Sequence, residues 1–317
     1  MKRKLTYMLF GALFFVLAAE MGCTKQSLDL RKNEGFVRID LLWKGNTPSG
    51  SRFYFYPQED VEGNPEPYSV DCPAEGFTGN MPSGTYKVIV HNSDIENLAM
   101  RNEHDYDRAE IYVLGEDEAA ASVSRAGSFI AQPSELMLAA GIDDPDNAGQ
   151  VTTLKVAYRE KVTVTASPAP RVKYLRFLFT VDDASQVSLT GGSLSGVSPS
   201  LHCASASCSS TSEQVRFTVE PNSGSECDFR AEVSVLDLVQ PNTGVHILTL
   251  TLLRPDGTSY QITRDLSATV NDILNHNGGT IPVTIPIDIP IELKKIGDDL
   301  KVDVGQWTQG TGGGTLQ

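Results

Sequence analysis

The chain has 317 residues, with 26 Lys and Arg against 40 Asp and Glu, a formal net charge of −14. An acidic exterior repels phosphate backbones and anionic headgroups, so nucleic-acid binding is disfavoured and no basic surface is available to hold the chain on a membrane. With 40% hydrophobic and 21% charged residues the composition is that of a globular protein rather than a disordered one, and the length suits two domains.

The chain begins with a basic stretch, Lys2, Arg3 and Lys4, followed by almost unbroken apolar sequence from Leu5 to Ala19 and by Met21-Gly22-Cys23. About 15 apolar residues are short for a membrane-spanning helix, which needs about 20, and the order basic, apolar, small is that of a cleaved export signal. The pattern resembles a bacterial lipoprotein signal, with Glu20 where an apolar residue is usual. Residues 1–22 are therefore expected to be removed, and Cys23 to become the first mature residue, carrying acyl chains such as palmitate. Ordinary secretion and an uncleaved anchor are the alternatives. Each buried methylene contributes about 0.8 kcal/mol, and two or more chains hold a protein stably at a bilayer, here the outer membrane. The cleavage takes away three basic residues and one acidic one, leaving 23 against 39, a net charge of −16. Residues 23–35 are polar and mixed in charge and suit a tether. Which membrane face the protein occupies stays open.

From Phe36 the pattern acquires period two: Val37, Ile39, Leu41 and Trp43 alternate with Arg38, Asp40 and Lys44, as in a half-buried strand. The turn cluster from Gly45 to Gly50 leads into Ser51 to Tyr56, a second strand rich in aromatics, and the two read as a hairpin. Strands are also predicted at Tyr68 to Cys72, Gly76 to Asn80, Thr85 to Asn92, Tyr106 to Leu114 and Ala119 to Arg125. Ser134 to Ala140 is ambiguous between strand and helix, and Val151 to Ala166 forms a long run. Lys161 to Thr165 and Val172 to Val181 read as the opening pair of a second meander. After a Gly/Ser-rich stretch, Leu189 to Val197, strands follow at Gln214 to Val219, Phe229 to Leu238, Val245 to Leu253 and Ser259 to Arg264, with Asp256-Gly257 as a hairpin turn. Ile281 to Ile291 carries Pro282, Pro286 and Pro290, which deny ladder hydrogen bonds on one side and predict an edge strand or connector. Leu300, Val302, Val304 and Trp307 alternate before a Gly-rich end, and a terminal strand of this kind is easily detached or donated.

Many short strands with closely spaced turns and hardly any 3.6-residue period predict an all-β protein of two tandem antiparallel β-sandwich domains, 36–155 and 156–308, with a flexible tail over 309–317. Besides Cys23, the cysteines are Cys72, Cys203, Cys208 and Cys227, which allow three pairings in an oxidising compartment. A bridge among Cys203, Cys208 and Cys227 and free thiols are both open; no His is spaced beside them as structural zinc requires.

The five histidines, His91, His104, His202, His246 and His276, stand without a supporting catalytic motif, so no enzyme activity and no cofactor is expected. Asp143, Asp144, Asp146 and Asn147 gather oxygen ligands but lack calcium-loop spacing, and a solvated turn is the simpler reading. Trp43, Tyr54, Tyr56 and Trp307 could stack on sugar rings, although aromatics on strands more often pack in a core.

The order of the signal, Phe36 to Trp43, Phe53-Tyr54-Phe55-Tyr56-Pro57, Met81-Pro82-Ser83-Gly84-Thr85-Tyr86 before Val88 to Asn92, and Leu194-Ser195-Gly196-Val197 resembles the fimbrillin-like lipoproteins of Bacteroidales. The nearest in kind are fimbrial anchor (minor fimbrillin) subunits and an associated domain family of unknown function. The resemblance spans most of residues 23–308. It implies two transthyretin-like sandwiches, partners that are other fimbrial subunits, and assembly by strand exchange, in which one sheet accepts an extended segment of another molecule. It also implies a choice between an anchor, which keeps its N-terminus and lipid, and a polymerising subunit, cut after an arginine. Arg125 could be such a point, or an ordinary loop arginine. A surface glycan-binding lipoprotein is the alternative function.

Overall fold

The computed structural model describes residues 33–61, 63, 65–116, 129–144, 149–182, 188–224, 227–240, 244–283, 285–296 and 299–310. The first half supplies β1 (Glu34–Leu41), β2 (Ser51–Pro57), β3 (Tyr68–Cys72), β4 (Gly76–Pro82), β5 (Gly84–Asn92), β6 (Leu98–Arg101), β7 (Glu110–Val113), β8 (Met137–Ala140), β9 (Ile142–Asp144), β10 (Gly149–Val151), β11 (Thr153–Val156), β12 (Lys161–Ala166) and β13 (Ala169–Pro170). The second half continues with β14 (Lys173–Val181), β15 (Ser188–Val197), β16 (Ser200–His202), β17 (Glu213–Thr218), β18 (Glu220–Pro221), β19 (Phe229–Val235), β20 (Ile247–Leu253), β21 (Ser259–Asp265), helix α1 (Ser267–His276), β22 (Ile287–Ile296), β23 (Asp299–Val304) and β24 (Thr308–Gln309). The protein is all-β in character.

Sheet A runs β10-β9-β12-β1-β4, and sheet B runs β13-β8-β5-β2-β3 with β11 beside β5. Between them lies a core of Val37, Ile39, Phe53, Phe55, Phe77 and Tyr86. Burying each of the larger side chains contributes roughly 1.5–3 kcal/mol, which explains why the alternating side of β1 faces inward. The second sandwich pairs sheet D, β17-β15-β20-β21, with sheet E, β18-β19-β14-β22-β23 with β24 beside β22. Leu175, Phe177 and Phe179 of β14 meet Leu194, Leu248 and Leu250 in its core. The sandwiches share a motif: the first strand of each lies between a parallel late strand and an antiparallel one, β12-β1-β4 and β22-β14-β19.

A third layer joins the halves. Sheet C, β16-β7-β6, combines two strands of the first half with one of the second. Its neighbours explain the aromatic run in β2. Phe53 and Phe55 face the core between sheets A and B, whereas Tyr54 and Tyr56, each 3% exposed, face Leu98, Tyr106 and Ile111 in the core that continues into the second sandwich. Sheet B is thus covered on both faces, and period two disappears where both sides of a strand are buried.

Several expectations change. β1 and β2 do not form a hairpin, because β1 pairs with β4 and β12 while β2 pairs with β3 and β5, so the turn between them crosses from one sheet to the other. Lys161 to Ala166 does not open the second meander; it lies in parallel register with Phe36 to Leu41 in sheet A. Strand pairing therefore passes from the first sandwich to the second between Pro170 and Lys173 rather than near 155. The Gly/Ser-rich stretch is β15, an inner strand of sheet D whose Leu189 and Leu194 reach the core. The Asp256-Gly257 turn does join β20 to β21, with Gly257 at φ +84° and Asp256 Oδ1 accepting from Thr258 N at 2.9 Å.

Helix α1 was not expected. Its buried residues Ser267, Val270, Ile273 and Leu274 form one helical stripe, too short to stand out in a chain dominated by strands. Among the described residues, no helix is long and apolar enough to cross a membrane.

Candidate functional site

The C-terminal strands and their seat form the most distinctive surface. In a strand, the N–H and C=O of one residue point to the same side, so the missing donors of Pro286 and Pro290 lie on the side of their carbonyls. Both carbonyls face the C-terminal segment: Gly310 N donates to Pro286 O and Gly305 N to Pro290 O, each at 2.9 Å. The one-sided loss of ladder bonds expected from these prolines is real, but β22 is an inner strand, not an edge or connector. Its other side carries the full parallel ladder from Ile287 to Leu293 with β14. On the proline side the partner changes from β24, opposite Ile287 and Asp288, to β23, opposite Ile291 to Ile296.

Side chains complete the attachment. Trp307 Nε1 donates to Asp272 Oδ2 at 2.5 Å, its ring meets His276 edge-on at 5.6 Å, and Gln309 Nε2 donates to Asn277 Oδ1 at 3.0 Å. Beneath Gly310, Arg176 and Asp288 form a two-pronged ion pair at 2.5 and 2.7 Å, and a side chain at 310 would run into the guanidinium. Apolar anchoring is slight: Val302 is buried and Leu300 and Val304 only partly, against Val37, Ile39 and Leu41 in β1. The last strands are therefore held mainly by polar contacts near the surface, which exchange readily with water.

A second surface feature lies on the outer face of sheet D, a depression of about 500 Å³. There β15 carries a bulge between Leu189 and Gly191, and Gly191 leaves the floor without a side chain. One wall is Phe129, covered by the Arg216 guanidinium 3.7 Å from the ring centre, with Arg216 Nη1 3.0 Å from Glu116 Oε2. Nothing in the sequence pattern brings residues 116 and 129 to β17; Ile130 N reaching Gln214 O at 2.8 Å does so.

The residues singled out in the sequence are scattered. Cys23 and Arg125 lie outside the described residues, as do Asp146 and Asn147. Asp143 accepts a 2.5 Å bond from Ser167 Oγ. Cys72, Cys203, Cys208 and Cys227 stand as free thiols; Cys203 and Cys227 are buried, and burial pushes the thiols of Cys203 and Cys208 up to about 12. Tyr54 and Tyr56 belong to the core and cannot stack on a sugar. Trp43 is half-buried with Nε1 on Ala74 O at 2.7 Å, and Trp307 serves the C-terminal attachment.

Comparison with solved structures places this arrangement among known folds. A candidate adhesin from Bacteroides ovatus superimposes with a TM-score of 0.58 at 20% identity, over 88% of this chain and 95% of that one. A second candidate adhesin from the same species gives 0.51 at 10% identity, over 92% and 99%. The fimbrial anchor protein Mfa2 from Porphyromonas gingivalis gives 0.47 at 10% identity, over 88% and 98%. At such identities the likeness to the two adhesins is one of fold. No curated protein matches the chain. A family profile covers residues 22–218, more than half of the sequence, and the chain belongs to that family, described as Domain of unknown function (DUF5119).

Proposed function

We propose that the chain is a cell-surface protein of the adhesion and fimbrial type, held at the outer membrane by acyl chains on Cys23 and joined to fimbrillin-type subunits by strand exchange. The observation that carries this reading is the C-terminal segment, a pair of short strands seated on a proline-bearing side with little buried apolar surface. A segment attached in this way is the part of the fold most easily given up to, or replaced by, an extended segment of a neighbour. The fold shared with the candidate adhesins from Bacteroides ovatus supports a role in contact rather than in chemistry. An anchor or accessory role fits better than a polymerising one, because β1 is locked between β12 and β4 as a built part of sheet A.

Two measurements test it. Labelled palmitate should enter the wild-type chain and not Cys23→Ser, and equal labelling of both overturns the lipid anchor. A photo-cross-linking residue in place of Val302 should capture a second polypeptide in intact cells; capture confined to the same chain overturns strand exchange.

A further inference from the structure

We infer that the depression on the outer face of sheet D is a binding site for a neutral saccharide. The inference rests on the side chains of that face and not on the strand-exchange reading. The face is lined by Ser193, Thr218, Thr249, Thr251 and Gln261, which alternate outward from strands whose other residues enter the core. Among the described residues, no side-chain hydrogen bond is made by the hydroxyls of Ser193, Thr218 and Thr249, which line the depression. Hydroxyl and amide groups both donate and accept, as sugar hydroxyls do.

Charge selects among ligands. In a chain of net charge −14, the charged residues that line the depression are Glu116 and Arg216, which pair with each other. Neither an anion nor a cation finds an unspent counter-charge there, whereas a neutral ligand gives up no charge–water interactions and can replace its lost hydration with hydrogen bonds to the lining. The Arg216 guanidinium sits over Phe129, 3.7 Å from the ring centre, and carries N–H groups beyond the one that meets Glu116, suited to the hydroxyls of a pyranose ring. An extended peptide is the poorer occupant. Strand addition needs a free sheet edge, whereas this depression is centred on β15 and β20, the inner strands of sheet D, whose backbone groups pair on both sides.

The site is also built rather than incidental. Glu116 N donates to Phe129 O at 2.9 Å, Gln132 Nε2 donates to Arg216 O at 3.0 Å, and Gln132 Oε1 accepts from Ser234 N at 3.0 Å. These bonds fix the wall before any ligand arrives. The ordinary solvent-facing sheet accounts for Thr and Gln on one face, and the close approach of Phe217 O accounts for glycine at 191; it does not account for the Arg216–Phe129 contact beside them. A volume of about 500 Å³ falls within the usual range for small-molecule sites, roughly 300–1,000 Å³.

The test applies the full chain, purified in detergent, to an array of neutral and acidic oligosaccharides, followed by calorimetric titration of the best neutral oligosaccharide. We expect at least one neutral saccharide to bind, with affinity about tenfold lower in Arg216→Ala and in the doubly substituted Thr249→Val/Thr251→Val chain, the loss of one or two hydrogen bonds. Binding should not weaken as salt rises, because no net charge is involved. A melting temperature within a few degrees of the parent shows that a variant is folded; if Arg216→Ala fails this check, the threonine variant decides. Absence of any neutral ligand, retention only of acidic saccharides in a salt-sensitive way, or binding unchanged in the folded variants overturns the inference. None of these outcomes bears on palmitate labelling or cross-linking, so the two readings fail separately.

Discussion

Trp307 donates its indole N–H to the carboxylate of Asp272 at 2.5 Å, so the penultimate link of the described chain is made by side chains across to helix α1 and not by the sheet alone. With proline donors missing on the facing side of β22, this contact supplies part of the attachment that a regular ladder would have provided. Trp307→Ala is expected to loosen residues 305–310 by about 1 kcal/mol, since one partner is a surface carboxylate. Hydrogen exchange should quicken several-fold in that segment while the urea midpoint of the whole chain stays nearly unchanged. Exchange rates equal to the parent would show that the sheet holds the segment unaided.

Gly196 has φ +80°, and a Cβ there would collide with the ring of His246 on its Nδ1 side. Gly196→Ala combines a left-handed backbone with overpacking of a buried ring, and should cost about 2–4 kcal/mol in urea unfolding. A loss under 1 kcal/mol would mean that the His246 ring can move aside, with its Nε2 leaving Val239 O at 3.1 Å.

His91 and His246 are both buried, and burial holds each imidazole below its ordinary pKa. The unfolded chain takes up protons on these rings near pH 6.5, where the folded chain resists them. More protons on the unfolded side means that stability rises with pH: the contribution is complete above about pH 6.5 and is lost as pH falls below it toward the lowered folded values. Urea midpoints measured from about pH 7.5 to pH 5 should decline, with a slope approaching 1.4 kcal/mol per pH unit for each ring that titrates. A flat profile over that range would contradict neutral burial of both.

Cys203 and Cys208, with thiols raised to about 12, hold almost no thiolate near pH 8. Iodoacetamide should leave both unmodified in the folded chain and alkylate both once urea unfolds it without reductant. A bridge among Cys203, Cys208 and Cys227 would instead leave two of the three unlabelled until reductant is added.

Legibility in the sequence followed how many faces of an element are buried. β1 was readable because Val37, Ile39 and Leu41 face a core while Arg38 faces water. In β2 the same reasoning found a strand but not its second cover, since Tyr54 and Tyr56 meet residues from distant parts of the chain. The β20–β21 hairpin was readable because Asp-Gly is a local signal. The parallel register of β1 with β12 is not local and leaves no trace in either strand, so the pairing that ties residues 161–166 to the first sandwich is not legible in the sequence. β15 was hidden by Gly191 and Gly192, which carry no side chain to alternate, and the saccharide-sized depression was hidden with it. Pro286 and Pro290 announced a one-sided strand, but only the three-dimensional neighbour, Gly305 to Gly310, explains which side and why.

Sheet C gives the two halves a common possession. Cutting the chain at Pro170 would strip β16 from β7 and lay bare Ile111 and Tyr106 on one fragment and Leu201 and Cys203 on the other, so neither piece should survive alone in water. If the chain is tethered and gripped in the way proposed above, the same joint would leave no slack: a tug at Glu34 would travel through interlocked ladders to the far sandwich instead of bending a hinge.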